Sequence, residues 1–202
     1  MLVDRGTVAG NVYDKYGTKN PFARLLVSRF MAAVRGLFDA HPDERVVEIG
    51  CGEGELLPRL LAGRAVRVAL GTDVSPRVAA EAARRTPALS FAAQSAYALA
   101  LRDHSAEVVV ACEVLEHLER PDDALREIAR VARRRVILSV PREPLWRVLN
   151  VARGRYLGEL GNTPGHVQHF SRAAFCALVE RHLRIVEVRA PLPWIIVAAE
   201  PF

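Results

Sequence analysis

The sequence of 202 residues lacks several features that define common protein classes. No segment approaches about 18 apolar residues without a charge, so we expect no membrane-spanning helix and no membrane insertion. The N-terminal residues contain no apolar segment of the kind that a signal peptide requires, which favours a cytoplasmic protein. The three cysteines form no CxxC or Cys/His cluster, so we predict neither a disulfide framework nor a structural zinc site.

Lysine is also scarce, since 26 of the 28 basic residues are arginine. The formal net charge of +5 at pH 7 admits an anionic partner such as nucleic acid. The arginines are scattered, however, and the densest run, residues 133–135, closes a predicted helix, where cations interact favourably with the helix dipole. We therefore favour a solvated basic surface over a nucleic-acid-binding site, which remains the alternative.

Apolar residues make up 50% of the chain and charged residues 25%, which is typical of a single globular domain over residues 1–202. Between residues 45 and 140 strands alternate with helices, and this alternation predicts a doubly wound parallel sheet. The predicted strands are 45–49, 66–71, 89–92, 108–111 and 136–140. A helix over 20–38 precedes them, residues 141–170 are predicted to be irregular, and a helix over 171–181 leads to an antiparallel pair, 185–189 and 194–199.

The strongest motif is a loop after the first predicted strand, with glycines at alternate positions: Gly50, Gly52 and Gly54. Glycine lets the backbone approach a ligand closely, and the loop opens a helix whose amides attract an anion. The dinucleotide pattern G-x-G-x-x-G differs, because Glu55 stands where its third glycine belongs. Glu48 and Glu53 make the loop still more acidic, which disfavours a pyrophosphate and favours a cationic ligand.

An aspartate, Asp73, follows the second predicted strand. A carboxylate at this point accepts both hydroxyls of a ribose, and the distance from Gly50 fits one strand–helix–strand unit. The alternative is that Asp73 only caps the next helix, although Ser75 is already available for that purpose. S-adenosylmethionine meets both requirements, because it is a nucleoside that carries a positive charge and no phosphate.

At these residues the chain resembles the class I S-adenosylmethionine-dependent methyltransferases, in particular the small-molecule branch called type 11/12. Four stretches carry the resemblance in order: Glu48–Gly54, Asp73, Gln94–Tyr97 followed by Leu99, and Cys112–Leu118. The first motif alone is moderately specific, whereas all four at these spacings are highly specific. The resemblance covers residues from about 10 to 200. It implies a Rossmann-like α/β fold, doubly wound, with a mostly parallel seven-stranded sheet, an antiparallel last strand and helices on both faces.

The resemblance further implies S-adenosylmethionine as the cofactor and divides the chain into an N-terminal lid and helix (1–38), a cofactor-binding core (45–140) and an acceptor-side cover (141–170). The implied cofactor-binding residues are Glu48, Gly50, Cys51, Gly52, Gly54, Asp73, Val74, Ser95, Ala96 and Glu113. In this assignment the glycine loop wraps the methionine part, Asp73 binds the ribose, and Val74 lies beside the adenine. Many relatives have aspartate where this chain has Ser95.

Three histidines are candidate catalytic residues on the acceptor side: His117, His166 and His169. An oxygen or nitrogen acceptor can require a general base, most often histidine. His117 follows the fourth strand, where a structural role and a substrate role both remain open. His166 and His169 lie in the predicted cover, where capping or packing and contact with the acceptor remain open. They have no evident third metal ligand, so we predict no metal site.

The polar N-terminal segment 11–20 contains two tyrosines, Tyr13 and Tyr16, and is predicted to be either a lid over the cofactor or a surface arm. A lid excludes water and so strengthens electrostatic interactions in the site. The predicted function is transfer of a methyl group to oxygen, nitrogen or carbon of a small-molecule acceptor by in-line displacement, in a monomer or homodimer. The alternatives are an RNA methyltransferase and a non-catalytic cofactor-binding partner protein.

Overall fold

The computed structural model describes residues 2–4, 7–9, 17–152, 154 and 156–202. Its central feature is a seven-stranded sheet built from β3 (Arg45–Ile49), β4 (Val68–Asp73), β5 (Ser90–Ala93), β6 (Ala106–Cys112), β7 (Ala132–Pro141), β8 (Arg184–Arg189) and β9 (Trp194–Glu200). Two short strands before it, β1 (Leu2–Asp4) and β2 (Thr7–Ala9), form a separate antiparallel pair that the sequence patterns did not predict.

Six α-helices are found among the described residues: α1 (Pro21–Leu37), α2 (Leu56–Leu61), α3 (Pro76–Arg85), α4 (Pro121–Val131), α5 (Leu145–Ala152) and α6 (Arg172–Glu180). Three of these helices begin where a side-chain oxygen caps the first amides. Asn20 accepts hydrogen bonds from the amides of residues 22 and 23, Ser75 from that of Val78, and Ser171 from that of Ala174. None of the helices in the described part of the chain has the length and apolar character needed to cross a membrane.

The strand order is β5-β4-β3-β6-β7-β9-β8. All neighbours are parallel except β9, which pairs antiparallel with both β7 and β8. Along the chain, β3, β4 and β5 extend the sheet from its centre to one edge. The chain then crosses back to place β6 on the other side of β3, and the later strands extend the sheet to the opposite edge. The order therefore reverses between β3 and β6, and ligands of such sheets bind at this reversal, beyond the carboxyl ends of the strands. The predicted fold class is confirmed.

Helices cover both faces of the sheet. On one face α4 and α6 bury residues such as Leu125, Ile128 and Phe175 against the strands. On the other face α1 and α2 bury residues such as Phe30 and Leu57. The strands between them are apolar on both sides, as expected for a parallel sheet.

Three expectations about elements were wrong. Residues 141–170 are not wholly irregular, because they contain α5 and a 3-10 helix, Leu157–Glu159. The arginine run 133–135 does not close α4 but lies in β7, since α4 ends at Val131. The second strand begins and ends two residues later than predicted, so Asp73 is the last residue of β4.

Candidate active site

The glycine loop occupies the reversal point of the sheet. Gly50, Gly52 and Gly54 have φ angles of +70°, +52° and +74°, a region that L-residues rarely adopt. A Cβ on Gly50 would lie 2.4 Å from a methyl carbon of Val114, a residue in the segment that follows β6. Any side chain there would displace that segment, so glycine is required both by conformation and by close approach.

Asp73 ties this loop to the end of β4. Its Oδ2 accepts a hydrogen bond from the amide of Gly52 at 3.0 Å, and its Oδ1 accepts one from the amide of Ser75, also at 3.0 Å. Only 7% of Asp73 is exposed, and this burial raises the pKa of the carboxyl, although the amide hydrogen bonds oppose the shift. A carboxylate has about four acceptor sites, so the two amides leave capacity for a ligand hydroxyl.

Two of the acidic side chains at the glycine loop, Glu48 and Glu55, have hydrogen-bond or ion-pair partners within the protein. Glu48 is 3% exposed, and its Oε2 accepts a hydrogen bond from the amide of Leu57 at 3.2 Å, at the start of α2. Glu55 forms ion pairs with Arg59 and Arg85. Glu48 therefore stabilises the start of the helix after the loop, and only Glu53 places its charge close enough to Asp73 to raise its pKa.

Cys51 contributes its backbone to the loop. Its amide donates to the carbonyl of Thr72 at 2.8 Å, which links the loop to β4 a second time. The side chain is 5% exposed, and burial raises the pKa of the thiol far above its ordinary value. A thiol in this state does not act as a nucleophile.

The segment after β5 lies beside Asp73. The amide of Gln94 donates to the carbonyl of Asp73 at 2.8 Å, and the hydroxyl of Ser95 accepts from the amide of Tyr97 at 3.2 Å. Ala96 packs against the core of the sheet, while Val74 leaves half of its side chain exposed at the end of β4. The structure therefore brings Val74, Ser95 and Ala96 to the same edge as Asp73.

Sequence reasoning missed the clamp that holds the rest of this segment. The guanidinium of Arg130, on α4, donates to the carbonyls of Leu99 and Leu101 and pairs with Asp103 and Glu127. Glu127 in turn accepts from the amide of Leu99 at 2.9 Å. We refer to residues 94–103 as the β5 loop and to Arg130 with Glu127 as its clamp.

Glu113 directly follows β6 and has a φ of +61°, an unusual value for a residue other than glycine. Its Oε2 accepts from the indole nitrogen of Trp194 at 2.8 Å, and its Oε1 accepts from the hydroxyl of Ser139 at 3.4 Å. Both partners lie on neighbouring strands. Strained backbone of this kind is concentrated at functional sites, because the surrounding structure must enforce it.

Two of the candidate histidines lie against each other: His117, in the segment after β6, and His166, in the predicted cover. The rings of His117 and His166 lie 4.9 Å apart edge to face, and His166 also stacks on Trp146 at 6.4 Å. His117 Nδ1 lies 2.9 Å from the carbonyl of Gly165, so it donates there. Burial, followed by the nearby charges of His117 and His169, lowers the pKa of His166 to about 3.

His169 is placed differently. It is exposed, and its Nε2 lies 2.9 Å from Asn162 Oδ1, which assigns the proton to Nε2 and leaves Nδ1 as an acceptor. The histidine borders an open cavity of about 270 Å³ whose other lining residues are Arg147, Gly158, Glu159, Leu160 and Asn162. Tyr13 and Tyr16, the remaining predicted site residues, lie outside the described residues.

Residues 47–140 match the family model described as "Methyltransferase domain". The match covers the glycine loop, Asp73, the β5 loop, Glu113 and His117. This segment is a methyltransferase domain of the class I fold.

One curated protein that is similar to this chain is the "Uncharacterized 37.1 kDa protein in transposon TN4556" from Streptomyces fradiae. It is 32% identical over 123 residues, which is 56% of this chain but only 34% of that protein. The matched part of the chain thus spans about a third of the relative's length.

Solved structures share the methyltransferase fold across nearly the whole chain. The PH0226 protein from Pyrococcus horikoshii OT3 has a TM-score of 0.72 at 14% identity, over 95% of this chain and 97% of that one. Magnesium protoporphyrin IX methyltransferase from Synechocystis PCC 6803, with bound SAH, has a TM-score of 0.67 at 21% identity, over 92% of this chain and 90% of that one. At these identities the likeness establishes the fold.

Proposed function

We propose that this chain transfers the methyl group of S-adenosylmethionine to a small-molecule acceptor. The observation that carries the proposal is the position of Asp73, whose two oxygens hold the amides of Gly52 and Ser75 at the reversal point of the sheet. This arrangement fixes a carboxylate beside a loop whose three glycines let the backbone approach a ligand closely.

In this proposal each group at the strand ends recognises one part of the cofactor. Asp73 accepts the ribose hydroxyls, and the exposed side chain of Val74 covers one face of the adenine. Gly50 to Gly54 approach the methionine part through their backbone, while Ser95 and Ala96 border the adenine edge. Glu113 lies on the methionine side of β6, where a carboxylate favours the positively charged end of the ligand.

When bound, S-adenosylmethionine supplies a methyl group on a sulfonium sulfur, which already carries its leaving group. The work of the protein is then to position the acceptor and to accept its proton. His169 is the general base in this proposal, because its Nδ1 is free to accept a proton while Nε2 is bonded to Asn162. The cavity beside His169, about 270 Å³ in volume, favours a small acceptor.

The charged surface supports a small molecule over nucleic acid. Arg134, in the densest basic run, pairs with both Asp39 and Glu44, and Arg135 pairs with Asp39. These arginines are engaged in ion pairs within the protein. They therefore do not form the kind of free basic patch that binds a phosphate backbone.

A methyl-transfer assay with radiolabelled S-adenosylmethionine tests the proposal. The acceptor panel contains phenols, amines, carboxylic acids and total RNA. We expect labelled product from at least one small-molecule class, none from RNA, and loss of product with Asp73→Ala. Labelled RNA would support the nucleic-acid alternative, and cofactor binding without any labelled product across the panel would support a non-catalytic protein.

A further inference from the structure

Three potential metal ligands from two distant segments come together on the acceptor side of the sheet. Glu116 and His117 lie in a 3-10 helix, Leu115–His117, after β6, and His166 lies about 50 positions later in the cover. One ligand atom from each residue falls within 4.8 Å of the other two. In the sequence, His166 and His169 are three positions apart. The fold instead brings His166 together with His117 and with the carboxylate of Glu116.

The donors are of the types that bind divalent transition metals. Two imidazole nitrogens and one carboxylate oxygen form the ligand sets of catalytic zinc sites and of non-haem iron sites. Glu116 is 2% exposed and His166 is 9% exposed, so both donors are largely withdrawn from water. Withdrawing a carboxylate from water is costly, and a bound cation lowers that cost.

His117 is oriented as a metal ligand should be. Its Nδ1 donates to the carbonyl of Gly165 at 2.9 Å, so Nε2 carries the lone pair. Metal-binding histidines almost always donate their second ring nitrogen to a carbonyl or carboxylate in this way, which fixes the tautomer and the ring orientation.

Backbone hydrogen bonds hold the two segments together without any metal. The carbonyl of Glu116 accepts hydrogen bonds from the amides of Val167 at 2.9 Å and Gln168 at 3.0 Å. These two residues lie between His166 and His169 in the sequence. Trp146 supports the other face of the His166 ring, and its indole nitrogen donates to Thr163 at 2.9 Å. The scaffold of the cluster is therefore formed by the fold itself.

We propose that Glu116, His117 and His166 bind a single divalent transition metal ion, of which zinc fits this donor set best. Ligand atoms around a tetrahedral zinc lie roughly 3.4 Å apart, given metal–ligand distances near 2.1 Å. The ligand atoms lie within 4.8 Å of one another, so binding draws each pair together by at most about 1.4 Å. Three protein ligands leave a coordination position for water or for an oxygen of the acceptor.

The test uses the chelator-treated full chain and titrates it with Zn²⁺ by calorimetry and with Co²⁺ by visible absorption. We expect one equivalent of metal and a cobalt d–d band typical of low coordination number. Because Trp146 stacks on His166, Co²⁺ should also quench tryptophan fluorescence. Glu116→Gln and His166→Ala should each weaken binding at least tenfold, whereas the matched control His169→Ala should bind as the parent does.

Circular dichroism and thermal melts establish whether each variant folds, and His117→Ala serves as a third ligand variant if one of the others does not. The proposal is overturned if the parent binds no stoichiometric metal, or if folded Glu116→Gln and His166→Ala bind as tightly as the parent. The affinity for SAH, measured separately on the metal-free chain, reports on the proposed function, so the failure of one proposal is distinguishable from the failure of the other.

Discussion

At the scale of single residues, the carboxylate of Asp73 shapes the glycine loop, and in the proposed function it also binds the ribose. Asp73→Ala removes charge-assisted hydrogen bonds and should weaken SAH binding by roughly 2–3 kcal/mol, or about 30- to 150-fold. Calorimetry on the parent and the variant measures this difference. Asp43→Ala, an exposed position in the turn before β3, is the matched control.

Asp73→Asn separates the two tasks, because the amide keeps one oxygen as an acceptor and loses the charge. We expect it to bind SAH with an affinity between those of the parent and Asp73→Ala. An unchanged dissociation constant in both variants, with full helicity, would show that Asp73 only organises the loop.

His169 is the residue on which the acid–base proposal depends. His169→Ala should lower turnover by about 10²- to 10⁴-fold with little change in SAH affinity, because a general base acts on the acceptor and not on the cofactor. If His169 acts as a base, the pH–rate profile of the parent should show an acidic limb that is absent from the profile of His169→Ala. His41→Ala, an exposed histidine before β3, is the control.

If His169 only positions the acceptor, the effect of its removal falls mainly on KM and the acidic limb persists. Parent-like activity in His169→Ala would remove this residue from the site.

Glu107 gives a prediction about stability and pH. Its carboxylate accepts from the backbone amide of Arg45 at 2.8 Å and from the guanidinium at 2.9 Å and 3.2 Å. The Arg45 hydrogen bonds lower the pKa of Glu107 from 4.5 to about 2. The folded-state pKa lies below the unfolded value, so this stabilisation is complete above pH 4.5 and is lost as the pH falls towards 2.

Glu107→Gln should therefore be less stable than the parent at pH 7, and the difference should shrink at pH 3. Urea unfolding at the two pH values measures the free energy of unfolding of each protein. A difference that stays constant between pH 7 and pH 3 would show that the ion pair contributes nothing to the pH dependence.

At the scale of elements, the β5 loop is ordered by a helix that is distant in sequence. Arg130→Ala removes hydrogen bonds to the carbonyls of Leu99 and Leu101, so amide exchange in residues 94–103 should accelerate about tenfold or more. SAH affinity should fall as well, because the proposed function places the adenine beside this loop. Hydrogen exchange with mass spectrometry measures the first effect and calorimetry the second.

Arg126→Ala is the control for this change, since Arg126 lies on the same helix and pairs with Asp123. Equal exchange in the β5 loop of Arg130→Ala and Arg126→Ala would contradict the clamp.

Element boundaries were predictable where they depend on local chemistry. Asn20 and Ser75 cap their helices through their own side chains, so sequence alone places these starts correctly. Helix α5 was missed because it spans only eight residues, Leu145–Ala152, in a segment whose prolines and glycines favour irregular structure. The arginine run was assigned to a helix because the acidic partners that hold it in β7 are about 90 positions away.

At the scale of the whole molecule, the parallel sheet was predictable from the alternation of strands and helices, because parallel strands need crossover connections. The proximity of the proposed cofactor-binding residues was predictable for a related reason, since they directly follow strands whose ends meet at one edge. The acceptor side was not, because Glu116 and His166 are brought together only by backbone hydrogen bonds between the 3-10 helix and the cover. No spacing in the sequence records this pairing.

The most direct test of the central claim is calorimetry of the chain with S-adenosylmethionine, SAH and NAD under identical conditions. The glycine loop and the buried Asp73 predict one binding site for S-adenosylmethionine and for SAH. They predict no measurable heat with NAD, because the loop itself carries the acidic side chain of Glu53, which repels a pyrophosphate. Saturable binding of NAD with no heat from either sulfur ligand would contradict the account.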